Sequence, residues 1–205
     1  MGASRGIGLE TVRQTLAAGH TVRAMARSAS AIPLQDPLLE KVSGDALVAE
    51  DVRRALQGVE VVIQALGIRN SDLFRPVHLF SAATRVLVPE MQAQGVRRLI
   101  TVTGFGAGDS QSSIGVLQRL PFRVMFGRAY DDKSEQERLI RASGLDWTLV
   151  RPGVLTSGTH TARYRVLLER DQWRNGIIAR ANVADYLVRQ ITDRSAIGQA
   201  PVLIG

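Results

Sequence analysis

Gly2-Ala3-Ser4-Arg5-Gly6-Ile7-Gly8 decides how this chain is read: its glycines stand at spacings of four and two and lead straight into a helical pattern, Leu9–Ala18. Glycine lets a backbone turn tightly and approach a phosphate closely, and a helix start offers free N–H groups and partial positive charge. The turn therefore predicts a dinucleotide's pyrophosphate at the first helix of an α/β unit. Such a turn follows a strand, normally the central one of its sheet, yet only Met1 precedes Gly2. A sheet lacking that strand keeps unpaired backbone groups beside an open groove. The expectation is a natural chain with about six more N-terminal residues, a usual strand length, in which Met1 ends that strand. The alternative is that another segment or chain fills the gap.

Downstream, the chain punctuates itself four times in one way. Ala17-Ala18-Gly19-His20, Leu56-Gln57-Gly58-Val59, Ala93-Gln94-Gly95-Val96 and Ala142-Ser143-Gly144-Leu145 each close a helical pattern with a glycine that can cap it. β-Type runs follow closely: Thr21–Arg27, Val59–Ala65, Arg98–Thr103 and Asp146–Val150. They are short, apolar and rich in β-branched residues, as strands covered on both faces are. Helix, glycine and strand in repetition predict a single-domain α/β fold over residues 1–205, a doubly wound parallel sheet of the Rossmann type. Its first strand is the one missing.

The other helical stretches are Asp51–Gln57, about Leu79–Gln94, Asp132–Ser143 and Asn182–Asp193. In the third of these, Leu139 and Ile140 face inward while Asp132, Glu135, Glu137 and Arg138 stay wet. Pro89 should kink or divide the helix that holds it. Residues 104–128 form a substrate-side insertion, with Ile114, Val116, Leu117, Leu120, Phe122, Val124, Met125 and Phe126 too apolar for a bare loop. One or two short helices over the strand ends are expected there, with Trp147 or Tyr164 nearby. Pro201–Ile204 reads as a last edge strand.

Composition narrows the function. No apolar run approaches the length that crosses a bilayer, so no membrane partner is expected. Cysteine is absent, which excludes disulfides and thiolate catalysis, and His20, His78 and His160 lack metal-ligand spacing. No metal is expected, and a reducing cytoplasm fits. The net charge of +7 comes from 24 arginines and two lysines, Lys41 and Lys133, scattered along a chain with 5% aromatics. Nucleic-acid domains concentrate such charge, so no nucleic-acid partner is expected. No helix pair shows a self-complementary apolar face, which favours a monomer.

The choice of dinucleotide lies after the second strand. An NAD site carries an acid about 20 residues beyond the turn for the ribose hydroxyls. Between Glu10 and Asp36 this chain has none; the strand ends in Arg27-Ser28, and Arg5 lies within the turn. Guanidinium groups suit a 2′-phosphate, so NADP(H) is the expected cofactor. Gly44-Asp45-Ala46 ends a third strand, where a carboxylate can meet the adenine amino group, and Ala65-Leu66-Gly67 closes the fourth.

With these residues the chain resembles the atypical short-chain dehydrogenase/reductases, the group with NmrA-like and flavin-reductase/biliverdin-IXβ-reductase-like proteins. The resemblance covers essentially the whole chain. It rests on the glycine turn, Arg27, Gly44-Asp45-Ala46, Ala65-Leu66-Gly67-Ile68-Arg69-Asn70, Ser143–Gly153 with its Arg-Pro-Gly end, and Ile178–Ala184. By position it implies cofactor contacts at Gly2, Ser4, Arg5, Gly6, Ile7, Arg27, Ser28, Asp45, Ala46, Gly67, Arg69, Thr103, Pro152 and Gly153.

The departures from the family bear on chemistry. Typical members use a serine at the fifth strand's end and a Tyr-x-x-x-Lys pair that exchanges a proton with a carbonyl or alcohol. Here Thr103 is followed by Gly104, and Tyr130-Asp131-Asp132-Lys133 is one residue short, with Ala129 four before the lysine. The serine and histidine of the biliverdin-reductase-like branch correspond to Gly104 and Gly153. Thr103 and Lys133 remain as catalytic candidates. A flavin, quinone or similar flat conjugated acceptor asks less of the protein, since orientation in an apolar pocket can suffice. An NADPH-dependent reductase of such a small molecule is expected; a non-catalytic NADP(H)-sensing protein of the NmrA type is the alternative. An isomerase or epimerase is disfavoured by the absent Tyr-x-x-x-Lys.

Overall fold

A computed structural model describes residues 1–68, 78–113 and 116–205, excepting the side chains of 116–128. Helix α1 (Gly6–Ala17) leads to strands β1 (Val22–Ala26) and β2 (Leu39–Ser43), then α2 (Ala49–Leu56) and β3 (Val61–Gln64). Helix α3 (Leu79–Ala93), β4 (Arg98–Val102), α4 (Val116–Arg141) and β5 (Asp146–Pro152) follow. The remainder comprises β6 (Val154–Thr156), β7 (Arg165–Leu167), β8 (Ile177–Ala179), α5 (Arg180–Arg189) and β9 (Val202–Ile204).

The α/β reading holds, with the strands in three hydrogen-bonded groups. The main sheet has the order β3-β4-β5-β9-β7, parallel except for the antiparallel edge pair β9–β7; β1–β2 and β6–β8 are separate parallel pairs. β9 is thus an interior strand rather than the expected edge. Its Val202, Leu203 and Ile204 are all buried, and β7 covers the side expected to be open.

Helix α1 begins three residues earlier than its apolar pattern suggested, because Gly6 and Gly8 belong to its first turn. A Cβ on Gly8 would lie 2.1 Å from the Gly2 carbonyl oxygen, so helix and turn interlock only with glycine there. Thr11 and Thr15 donate to the carbonyls of Ile7 (2.8 Å) and Thr11 (2.7 Å), hiding their hydroxyls on the buried face with Val12. Pro89 does not divide α3: it and Arg85, four residues earlier, lie on the exposed side, where water can take the freed carbonyl. Residues 116–141 form one 26-residue helix, not a short helix or two before a separate one. No capping glycine followed by a β-type run interrupts that stretch.

Two acids expected to be wet are buried. Asp132 accepts hydrogen bonds from the Phe80 (2.8 Å) and Ser81 (3.3 Å) amides, capping α3 from another helix. Glu137 is 1% exposed and bonded to Arg151. Glu135 and Arg138 do pair at the surface, and Ile140 faces the core as expected.

Between β1 and β3 lies a groove of about 380 Å³, lined by Val22, Ala24, Val61 and Ile63 among others. Met1 bridges the two strands at one end of it. Its amino group donates to Ile63 (2.8 Å), its carbonyl accepts from Ala65 (3.0 Å), and the next amide, Gly2, donates to Met25 (3.0 Å).

Candidate functional site

A cleft of about 470 Å³ opens over the C-terminal ends of β1, β3, β4 and β5, the usual ligand position of an open α/β sheet. Of the residues expected from sequence to contact a cofactor, Gly2, Ser4, Arg5, Gly6, Ile7, Arg27, Ser28, Asp45, Ala46, Gly67, Thr103 and Pro152 all line it. Arg69 and Asn70 lie outside the described residues. Gly153 packs behind the wall: its amide donates to Leu203 (3.0 Å), and a Cβ there would meet the Gly176 carbonyl at 2.2 Å.

At the turn, Gly2 has φ +81° and a Cβ would stand 2.6 Å from the Ala65 oxygen, so glycine alone brings Met1 against β3. Helix α1 has no side-chain cap at its N-terminus, which leaves its leading amides for a ligand. A pyrophosphate fits such a cradle. Asp45 turns one carboxylate oxygen to the Leu47 amide (3.0 Å), holding the adjacent corner of the cleft in shape. Gly67 has nothing within 4 Å of where a Cβ would be, so it faces open space.

The opposite end holds Thr103 and Lys133. The Lys133 ammonium donates to the Thr103 carbonyl and lies 5.0 Å from the Phe80 ring centroid and 5.4 Å from that of Tyr130. Burial lowers its pKa to about 8, against the opposing pull of Glu137. The Thr103 hydroxyl is committed elsewhere, donating to Glu137 at 2.8 Å. Tyr130 lies behind the site: a Cβ on Gly104 would approach its phenol oxygen to 2.8 Å, and burial pushes that phenol up to about 12. Three-residue spacing thus puts Tyr130 and Lys133 on one helix face, and of the two only Lys133 lines the cleft.

Beneath Thr103 is a network that sequence reasoning missed. Arg151, fully buried, donates from Nε to Glu137 (2.9 Å) and from its terminal nitrogen to Glu137 and Asp109. Burial raises the Asp109 carboxyl, but Arg151, Arg141 and Arg170 more than offset this and hold it below the usual range. Gly108, at φ +54°, lies so close to Glu137 that a Cβ would be 2.2 Å from its carboxylate. The one signal in the sequence was the arginine of the Arg-Pro-Gly stretch.

Trp147 and Tyr164, expected near the acceptor pocket, do not line the cleft. Trp147 stacks under Arg141 (5.0 Å), and Tyr164 donates to Asp185 (2.6 Å). The apolar side chains proposed for that pocket, from Ile114 to Phe126, lie outside the described residues. Among the described residues no group of three or more His, Cys, Asp or Glu could hold a metal, and no helix is long and apolar enough to cross a membrane.

Comparison with known proteins agrees with this fold. The structure of ChuY, an anaerobillin reductase from Escherichia coli O157:H7, superposes with a TM-score of 0.82 at 26% identity, covering 99% of this chain and 94% of that one. A short-chain dehydrogenase/reductase from Veillonella parvula in complex with NADP superposes at 0.83, with 16% identity and 100% and 92% coverage, a likeness of fold. Sterol demethylase protein B of Methylococcus capsulatus is 32% identical over 168 residues, 75% of this chain and 50% of that protein, so the chain spans half of this relative. The NAD(P)H-binding family model matches residues 2–194, and the chain belongs to that family.

Proposed function

We propose that the protein is an NADPH-dependent reductase of a flat conjugated acceptor, such as a flavin or quinone. One observation carries the reading: a single cleft joins an uncapped glycine turn and Arg27-Ser28 at one end to a partly buried lysine at the other. When bound, the nicotinamide supplies a hydride. The turn amides and the start of α1 hold the pyrophosphate, while Arg27 and Ser28 take the 2′-phosphate. Lys133, anchored on the Thr103 carbonyl, presents a proton to the reduced acceptor. Tyr130, held protonated behind Gly104, and Thr103, committed to Glu137, leave that task to the lysine. Likeness to a reductase over nearly the full chain supports the same reading.

Turnover tests it. NADPH oxidation should accelerate with at least one of a panel of free flavins and quinones. Tight NADPH binding with no rate above background for any of them would sink the reductase reading and favour a non-catalytic NADP(H) sensor. Cofactor choice is tested apart from turnover. Arg27→Ala should weaken NADPH about 10- to 100-fold, the worth of a charge-assisted contact to a phosphate, while NADH changes little. Equal weakening of both would refute the 2′-phosphate assignment.

A further inference from the structure

Arg180, the first residue of α5, stands over the glycine turn although 174 positions separate it from Gly6 in the sequence. Its Cδ and Nε lie 3.8 and 3.9 Å from where a Gly6 Cβ would be, so the guanidinium stem lies against the turn at ordinary van der Waals distance. A terminal nitrogen reaches the Ser157 hydroxyl (3.4 Å), which steadies the side chain from the β6 side. Arg180 lines the same cleft as the turn. Among the described residues it forms no ion pair with a carboxylate, and neither do Arg5 and Arg27. Most arginines on the outer helices, such as Arg53, Arg138 and Arg189, do have carboxylate partners.

An arginine that packs on a phosphate-binding turn, lines its cleft and has no protein anion there is arranged for a ligand anion. We propose that Arg180 closes over the cofactor's pyrophosphate from the α5 side. The phosphates would then be gripped between the turn amides and one guanidinium. This rests on the cleft being the dinucleotide site, and it divides the work among the arginines. Arg27 reads the 2′-phosphate that only NADPH carries; Arg180 holds the pyrophosphate that NADPH and NADH share. The other anion that could reach Arg180 is a carboxylate on an acceptor bound in the same cleft. The contact with Gly6 places the guanidinium stem on the turn itself and favours the phosphates.

Arg180→Met keeps the apolar stem against Gly6 and removes the charge. Direct titration of the purified protein with NADPH and with NADH, without acceptor, is expected to show both weakened by a similar factor of about 10 to 100. Arg180→Lys should recover part of the loss, since it restores a positive charge without the planar fork. The salt dependence of binding should flatten in Arg180→Met, as one screened contact is gone. Unchanged affinity for both dinucleotides, with or without a raised KM for an acceptor, would overturn the assignment. So would a loss confined to NADPH, which would place Arg180 at the 2′-phosphate. Because these are binding measurements, an absent reductase activity leaves them readable. Failure of the unaltered protein to bind either dinucleotide overturns both this assignment and the cofactor reading beneath it.

Discussion

Arg151→Met is expected to cost about 3–5 kcal/mol of stability, the loss seen when one member of a buried ion pair is removed. Arg151 is fully buried and Glu137 is 1% exposed, and they meet through two nitrogens and both carboxylate oxygens. Without the arginine, Glu137 keeps, among the described residues, the Thr103 hydroxyl as its hydrogen-bond donor, and its buried carboxylate loses its ion-pair partner. For a chain of this length the loss corresponds to a fall in Tm on the order of 10 °C. The double change Arg151→Met with Glu137→Leu should recover much of it, since no charge is then stranded. Asp109→Asn should cost far less, because its carboxylate is 26% exposed and shared among three arginines. Urea midpoints of the four proteins settle the matter. A loss below about 1 kcal/mol in Arg151→Met, the range of a surface pair, would mean that the network is not holding the site.

Lys133→Met is expected to lower kcat about 10²- to 10⁴-fold with the best acceptor, the usual contribution of a positioned general acid, while NADPH affinity stays within a few-fold. The pH dependence makes the test specific. An ammonium with a pKa of about 8 is the acid form below that value, so kcat should fall as pH rises through about 8. In Lys133→Met that limb should vanish. Stability should move the other way. The folded pKa lies below the ordinary 10.5, so between about 8 and 10.5 the unfolded chain binds more protons than the folded one. Stability contributed by this group therefore rises with pH across that window, and the variant should lose the slope. A kcat that ignores both the substitution and the pH window would remove Lys133 from the chemistry.

Much of the cofactor end was legible because its signals are local. The glycine turn, the helix behind it and the Arg27-Ser28 strand end each follow from a few neighbouring residues, and the fold gathers them in one cleft. The opposite end was not legible in the same way. Asp132 and Glu137 look like ordinary wet acids on a helix, and their burial comes from partners far along the chain: the Phe80 amide for one, Arg151 for the other. Periodicity cannot report such partners. Arg180 drew notice only inside a family-like stretch, because its nearness to Gly6 arises when α5 packs beside α1. The interior place of β9 escaped for a related reason: β7, which flanks it, is only three residues long and carries Arg165 at its start.

Two hydrogen-bonded sheets carry the floor of the cleft. Arg27 and Ser28 follow the end of β1 and Asp45 follows that of β2, in a two-stranded sheet that shares no ladder with the five-stranded one. Thr103 and Pro152 belong to the five-stranded side, and Lys133 reaches it through Thr103. Among the described residues the two floors are joined by the hydrogen bonds of Met1 and Gly2, by the packing of α1 against α5 and of α2 against α3, and by a shared core that includes Met25, Val52, Leu87 and Leu99. A dinucleotide lying along the cleft would rest its adenosine on one floor and its nicotinamide on the other. It would bridge the two sheets, adding its own contacts to those that already join them.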